Sequence, residues 1–505
     1  MTPLPSFTDF KKVYEDGSPQ LVFTEHVADL ETTVSAYMKL CADRPMSFLF
    51  DSVEGGAVRG RYSFIGMKPD MIFRARGNKP ELNTKARHDL EAFEPMEEDT
   101  LTALRRLVRE NRIDMPAGLP PMSAGLFGYM AYDGIRLIED LPDCPPDILG
   151  IPDFIFMRPT IMAVFDSVRD MITIVTPVYP AEGISATAAY DRAVERLNDA
   201  VADLNRPLSQ PAIDFDEPLE KPEIISNTGK DTYLQMVEKA KEYIVAGDIF
   251  QVVPSHRFMR RFTLPPFELF RALRRTNPSP YMYFLNFGTF QVAGSSPEIL
   301  VQTRDGKVVV RPIAGTRRRG YDDAEDKALE EELLSDPKEL SEHLMLLDLG
   351  RNDVGRVAEI GSVTVTDQFF IERYSHVMHI VSNVEGDLSD DFDSIAALMA
   401  GAPAGTVSGA PKVRAMEIID ELEKEKRCLY AGGVGYFAAD GSMDTCIALR
   451  TGVIKDGMLH VQAGGGVVAD SKPEAEYQET VDKSKAVFRA AEEAERLAQR
   501  GQSRY

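Results

Sequence analysis

A chain of 505 residues, 44% of them hydrophobic, is long enough for one large core or two domains. Lysine and arginine number 57 against 80 acids, and the net charge of −23 argues against a nucleic acid or an anionic membrane as partner. Four scattered cysteines without a C-x-x-C pair predict neither disulfides nor zinc, and a start lacking a basic, apolar leader predicts a soluble, cytoplasmic protein. Along the chain, apolar runs at Ser47–Phe50, Tyr62–Ile65, Ile161–Phe165 and Met171–Val175 predict strands, and Leu101–Glu110 and Ala188–Leu204 predict helices. Residues 1–205 therefore read as one region. From 206 to 229, Pro207, Pro211, Pro218 and Pro222 fall among acids with little periodicity, the pattern of a linker. A second region, 230–490, opens with a helix from Asp231 to Ala246 that stops at Gly247. Residues 491–505 predict a charged, alanine-rich helix end whose last turn frays into a tail. This mixture of strands and helices predicts an α+β fold.

Two helices carry acids in unexpected places. Asp336 reads as an N-cap, with Pro337 at the first helical position and Glu339 completing a capping box. Glu342 lies three residues further, on nearly the same face, and Leu340, Leu344, Met345, Leu346, Leu347 and Leu349 predict a largely buried helix. Ser471 and Glu474 read as a second capping box, before a helix on which Glu476, Glu479 and Lys483 share one stripe. Two glutamate pairs at i, i+3 on two helices suit an oxygen-only site for Mg²⁺, although solvated helix faces carry such pairs routinely. Between them, Gly315-Thr316 beside Arg317, Arg318 and Arg319 reads as a turn that suits a carboxylated anion.

Longer strings are more specific. Ala404-Gly-Thr406-Val-Ser408-Gly-Ala-Pro-Lys412, Tyr430-Ala-Gly-Gly-Val-Gly-Tyr436, Ile447-Ala-Leu-Arg450-Thr451 and Gln462-Ala-Gly464-Gly465-Gly466-Val-Val-Ala-Asp-Ser471 occur in fixed order. With the glutamate helices, they resemble the chorismate-utilising enzymes, and within that family the branch of anthranilate synthase component I. The resemblance is strong from Tyr233 to Lys483 and thinner from Ser47 to Gly66. It implies two facing, mostly antiparallel sheets wrapped by helices. It also implies a lyase that converts chorismate and ammonia to anthranilate and pyruvate by way of 2-amino-2-deoxyisochorismate, with Mg²⁺ as cofactor.

The resemblance implies roles residue by residue. Glu342 and Glu479 match metal ligands, and Glu339 and Glu476 an outer, water-mediated pair. Glu298 matches a general acid for the departing hydroxyl, His379 a residue needed for pyruvate loss, and Thr406 lies within the most specific string. Arg450 and Tyr430 match residues that grip a substrate carboxylate, while Gly315, Thr316, Gly464, Gly465 and Gly466 would offer backbone donors. Gly465 stands where alanine is usual. Lys483 and Lys412 match further family positions, whereas His343 and His376 match none and read as ordinary core or rim residues.

Two positions separate the branches. Gln251 stands where isochorismate and salicylate synthases place a lysine to activate water. Ala314 stands where 4-amino-4-deoxychorismate synthase has a nucleophilic lysine, and alanine cannot form that adduct. The alternatives weighed are that synthase and an inactive tryptophan-sensing subunit. Asp51 and Ser52, with Pro280, Tyr281 and Met282, match the family's tryptophan feedback site, although Asp51 is one methylene shorter than the usual glutamate. No cysteine sits in a glutaminase-like setting, so a separate glutamine amidotransferase subunit and a hetero-oligomer are implied.

Overall fold

The computed structural model describes residues 2–42, 44–52, 60–208, 222–374 and 377–499. Residues in strand Ser47–Asp51 alternate between two environments. Phe48 joins the core between two sheets, and Leu49 joins the core beneath a layer of helices. The same alternation in strand Tyr281–Asn286 sends Tyr283 and Leu285 inward and Met282 and Phe284 outward.

One sheet runs, by antiparallel neighbours, from Gln20–Val27 through Met171–Val178, Phe154–Asp166, Tyr62–Arg76, Ser47–Asp51, Tyr281–Asn286, Gln291–Ser296, Thr451–Lys455 and Met458–Gly464 to Ser255–Arg261. The facing sheet begins again at Phe154–Asp166. It continues through Gly125–Met130, Gly433–Ala438, Met443–Ile447, Ile299–Arg304, Lys307–Val310 and Val377–Asp387, which borders both Ile313–Arg318 and Thr364–Arg373. The long strands Tyr62–Arg76 and Phe154–Asp166 belong to both sheets, so 21 strands join in one hydrogen-bonded network. They turn the corner where Pro69 lies opposite Pro159 and the register shifts. Proline cannot donate to the ladder, and a bulge there lets each strand bend from one sheet to the other.

Aromatic rings fill the space between the sheets. Phe48 stacks on Phe127 at 4.8 Å between centroids, and Tyr436 meets Phe64 edge-on at 5.5 Å. Gly128 has to be glycine, because a Cβ there would lie 1.9 Å from the Ile155 carbonyl oxygen of the neighbouring strand. Helices Phe7–Glu15, Thr33–Leu40, Ala186–Leu204, Pro266–Thr276 and Pro473–Gln499 pack on the outside of the first sheet. Helices Thr100–Glu110, Lys230–Ala246, Pro337–Gly355, Ser394–Gly401 and Lys412–Leu422 cover the second.

Each strand and helix anticipated in residues 1–205 is present, most of them longer than the apolar run that signals it. Helix Lys230–Ala246 ends at Gly247 in the left-handed conformation, as its sequence suggests. In the linker, Ile225–Ser226 adds to the sheet beside Phe258–Met259, and residues 209–221 lie outside the described residues. The C-terminal segment is the end of a single 27-residue helix with Ala494 and Ala498 buried, and residues 500–505 are outside the described set. The two sequence regions are interleaved in space: strand Ser47–Asp51 pairs with Tyr281–Asn286, and Gly125–Met130 with Gly433–Ala438.

Candidate active site

The first glutamate helix begins as expected at its cap. Asp336 accepts from the Lys338 amide at 3.0 Å and the Glu339 amide at 3.5 Å, with Pro337 first in the helix. Glu339 does not close the capping box. Its carboxylate receives the Arg317 guanidinium at 2.9 Å instead. Nor is this helix largely buried: the inward stripe is His343, Leu346, Leu347, Gly350, Asp353 and Val354, whereas Leu344 is 56% exposed. Leu346 and Leu347 face the core, and the other three leucines, Leu340, Leu344 and Leu349, are exposed or partly so.

The second glutamate helix starts at Pro473, not at a Ser471 cap. The Ser471 hydroxyl accepts from the Val468 amide at 3.0 Å and tightens the preceding turn, while Glu474 pairs with Lys230 at 2.7 Å. The two helices nonetheless bring their acids within electrostatic reach. Burial raises the Glu342 carboxyl above its ordinary range, and the neighbouring Glu339 and Glu479 charges raise it further. Glu476 is raised chiefly by burial and then by Glu479, and its Oε2 is buried without a partner among the described residues. Lys483 bonds Glu479 at 2.7 Å and donates to the Gly464 carbonyl at 3.0 Å. No three acidic, histidine or cysteine side chains among the described residues already stand as a metal cage. An all-oxygen donor set with mutual repulsion and an orphaned carboxylate oxygen fits a hard divalent cation that retains water ligands.

Glu298 lies between strands Gln291–Ser296 and Ile299–Arg304, and Thr406 Oγ1 donates to its Oε1 at 3.1 Å. Burial pushes this carboxyl up to about 8, against opposing effects from Thr406, the Ile313 amide and Arg450. It is therefore protonated at neutral pH. His379 is the reverse case, held down at about 4 by burial and by Arg450. Its Nδ1 lies 3.1 Å from the Gly315 carbonyl and 3.0 Å from Thr316 Oγ1, and donation to that carbonyl leaves Nε2 with a lone pair, buried without a partner among the described residues.

Gly315 sits at a bulge in strand Ile313–Arg318, not in a turn, with φ +70° and Glu339 only 3.1 Å from where a Cβ would stand. The arginines beside it do not await an anion. Arg317 binds Glu332, Asp336 and Glu339, Arg318 binds Glu325, Arg319 binds Asp326, and Arg311 binds Glu372. Arg450 differs from them. It holds a left-handed backbone at φ +48°, which costs a non-glycine residue about 1–3 kcal/mol. Burial disfavours its charged form, and its guanidinium makes no salt bridge among the described residues.

Tyr430 is buried, and its hydroxyl receives the Gly464 amide. The Gly465 amide turns to Pro254 O at 3.3 Å, and a Cβ on Gly466 would stand 3.1 Å from Gln251 Nε2. Gln251 is fully enclosed, with Oε1 unpartnered among the described residues. Ala314 is buried in its strand and carries no nucleophile. Lys412 is tied to Asp353 at 2.8 Å. His343 is a core residue bonded to Ser382 at 2.6 Å, and His376 lies outside the described residues. Tyr374, 5.5 Å from the His379 ring and electrostatically coupled to Arg450, was not evident from the sequence, where no motif marks it.

A separate cavity of about 1100 Å³ opens between the sheets. Asp51, Ser52, Pro280, Tyr281 and Met282 line it, and Glu298, His379, Thr406 and Arg450 do not. Asp51 is paired in register with Met282, and Ser52 Oγ donates to the Pro280 carbonyl at 3.3 Å. The Asp51 carboxylate is already taken up by Arg274 at 2.5 Å, Ser63 at 2.8 Å and Thr33 at 3.1 Å. That network belongs to the helix side of the strand, which sequence alone cannot assign.

Comparison with known proteins bears on the family and the fold. The profile of the chorismate binding enzymes matches residues 48–489. Anthranilate synthase component 1 of Cereibacter sphaeroides is 59% identical over 498 residues, covering 98% of this chain and 99% of that protein. The Pseudomonas aeruginosa protein of the same name is 47% identical over 492 residues, covering 96% and 98%. The crystal structure of anthranilate synthase component I from Streptococcus pneumoniae superposes with a TM-score of 0.74 at 36% identity, covering 92% of this chain and 98% of that one. The menaquinone-specific isochorismate synthase of Escherichia coli, 19% identical with a TM-score of 0.69 over 96% of this chain and 99% of that one, shares the fold. With matching motifs, matching sheets and relatives that align from end to end, the chain belongs to the chorismate binding enzyme family.

Proposed function

We propose that the chain works as anthranilate synthase component I, aminating chorismate at C2 and eliminating pyruvate to give anthranilate, the committed step toward tryptophan. The observation that carries this reading is Arg450, a half-buried guanidinium in a strained backbone that makes no salt bridge among the described residues. A desolvated cation without a salt bridge is costly, and a carboxylated substrate would relieve it in the bidentate geometry that arginine favours. Tyr430 is the second group placed to hold that carboxylate.

The first step needs an acid and the second a base. Glu298, protonated because its carboxyl is pushed up to about 8, gives its proton to the C4 hydroxyl, which leaves as water while ammonia adds at C2. The unpartnered Gln251 Oε1 can accept an N–H of the incoming ammonia, and an amide is too weak a base to deprotonate water in its place. In the second step the Nε2 lone pair of His379, neutral at pH 7, removes the C2 proton as the C3–O bond breaks and the ring becomes aromatic; the departing enolpyruvate takes a proton at its methylene carbon, in balance with the one removed, and leaves as pyruvate. Glu342 and Glu479, with Glu339 and Glu476 outside them, would hold Mg²⁺. When bound, that ion supplies charge neutralisation and Lewis acidity at the substrate's ring carboxylate and leaving oxygen.

We infer that this chain draws its ammonia from a separate glutamine amidotransferase subunit, as its family resemblance implies, and is cytoplasmic with that partner. No helix among the described residues is long and apolar enough to cross a membrane. Tryptophan is the inferred inhibitor, acting from the cavity beside Ser52. Incubating the purified chain with chorismate, Mg²⁺ and ammonium at high pH should yield anthranilate by fluorescence and chromatography, and less of it with tryptophan present. Accumulation of 4-amino-4-deoxychorismate, or no turnover, would overturn the assignment.

A further inference from the structure

Behind the substrate-facing surface lies a polar network centred on Arg427, which is 2% exposed. Its Nη1 donates to the Val407 carbonyl and its Nη2 to the Val253 carbonyl, each at 2.6 Å. Its Nε and Nη2 also grip Glu423, at 3.1 and 2.5 Å. Glu423 Oε1 in turn receives the Ser255 amide at 2.7 Å and the Ser255 hydroxyl at 2.9 Å, and Gln462 Nε2 donates to that hydroxyl at 2.8 Å. The guanidinium lies 5.5 Å from the ring centroid of Tyr430.

Each arm of this network ends beside a group with a role in the reaction. Val407 follows Thr406, which bonds Glu298. Val253 is two residues beyond Gln251, Ser255 is paired in register with Gly464, and Tyr430 is met directly. We propose that the Arg427–Glu423 pair is a positioning device for the chemistry: it fixes Thr406, Tyr430 and the Gly464–Gly466 turn relative to one another without touching substrate. This rests on the roles assigned to those groups under the proposed function. A buried ion pair adds little net stability over apolar packing, because desolvation offsets its attraction. A planar fork of five donors can, however, lock three chain segments at once, which neither an apolar side chain nor a lysine can do.

The test compares three variants of the full chain, using chorismate, Mg²⁺ and ammonium as probes. Arg427→Lys keeps the charge opposite Glu423 but cannot span both carbonyls. It should raise KM for chorismate and lower kcat, each by about tenfold, and move the alkaline limb of the pH profile set by Glu298. Arg260→Lys is the control. Arg260 is as deeply buried and paired with Glu495, yet its site on strand Ser255–Arg261 has no part in the reaction. This variant should lose comparable thermal stability with kinetics unchanged. Ser255→Ala removes only the hydroxyl link toward Gly464. It should raise KM by about threefold at nearly constant Tm, and it decides the matter if Arg427→Lys does not fold. Parent-like kinetics in Arg427→Lys beside a matched Tm loss in both arginine variants would overturn the positioning role, as would an unchanged KM in Ser255→Ala. An inactive parent chain would overturn the function reading and this role with it.

Discussion

Glu298 and His379 share a site in which burial drives their protonation in opposite functional directions. Both are kept uncharged, one as an acid and one as a base. Because the Glu298 carboxyl is raised above the ordinary 4.5 to about 8, its protonated form favours the fold. That contribution is complete below the ordinary value and is lost as pH rises through about 8. The acid proposed for the first step is lost at the upper end of that interval, near pH 8. With rates corrected for free ammonia, kcat should fall above about pH 8, and Glu298→Gln should lower it by roughly 10²–10⁴-fold and flatten the alkaline decline in Tm. A variant that keeps both activity and decline would remove the acid role. His379→Ala takes away the base for elimination and spares amination, so 2-amino-2-deoxyisochorismate should accumulate, as followed by chromatography. Equal loss of both steps would contradict the division of labour.

Helices Pro337–Gly355 and Pro473–Gln499 have opposite relations to their own sequence patterns. The first has a leucine-rich string and is half exposed. The second reads as charged, yet Thr480, Ser484, Val487, Ala491 and Ala494 are buried. The role proposed for both lies near their N-terminal ends, where Glu342 is raised by Glu339 and Glu479, and Glu476 by Glu479. Glu342→Gln and Glu479→Gln should each abolish turnover while circular dichroism stays native, since each removes charge from the cation site. A readout independent of activity is available in thermal unfolding. Mg²⁺ should raise the Tm of the parent chain by mass action, and that rise should shrink in both variants. Without Mg²⁺, Glu342→Gln should be no less stable than the parent, because it relieves a raised, repelled carboxyl. Full activity in either variant would dismiss the metal assignment.

At the scale of the whole molecule, an interior cavity lies between the sheets, and Glu298, His379, Thr406 and Arg450 do not line it. It is built by strands from both sequence regions, Ser47–Asp51 and Tyr281–Asn286, and its wall includes Pro297 and Tyr374, neighbours of Glu298 and His379. A tryptophan seated there would reach the chemistry only by favouring one arrangement of these shared walls over another. Ser52→Phe fills the cavity beside Pro280, which neither Arg450 nor Glu298 lines, so it should weaken tryptophan inhibition while uninhibited kcat stays near the parent value. An unchanged inhibition curve, or tryptophan found in the chorismate position, would refute a separate regulatory chamber.

Local spacing was enough to anticipate much of this protein. Period-two runs such as Tyr62–Ile65, the Gly247 stop, the Asp336 cap and the ordered motif strings follow from interactions within a few residues, and those strings carry the family. The Ser471–Glu474 box was misread by the same logic, because Ser471 was drawn into a tighter turn with Val468. Sequence cannot show which partner a charged side chain meets across space. Only the folded chain decided that Arg317 and Asp51 are already satisfied, that Arg450 lacks a salt bridge among the described residues, and that Arg427 ties three segments together. Those outcomes depend on burial and on contacts between residues 20 to 223 positions apart. The sheets create such contacts only when Pro69 and Pro159 bend two strands around a shared corner.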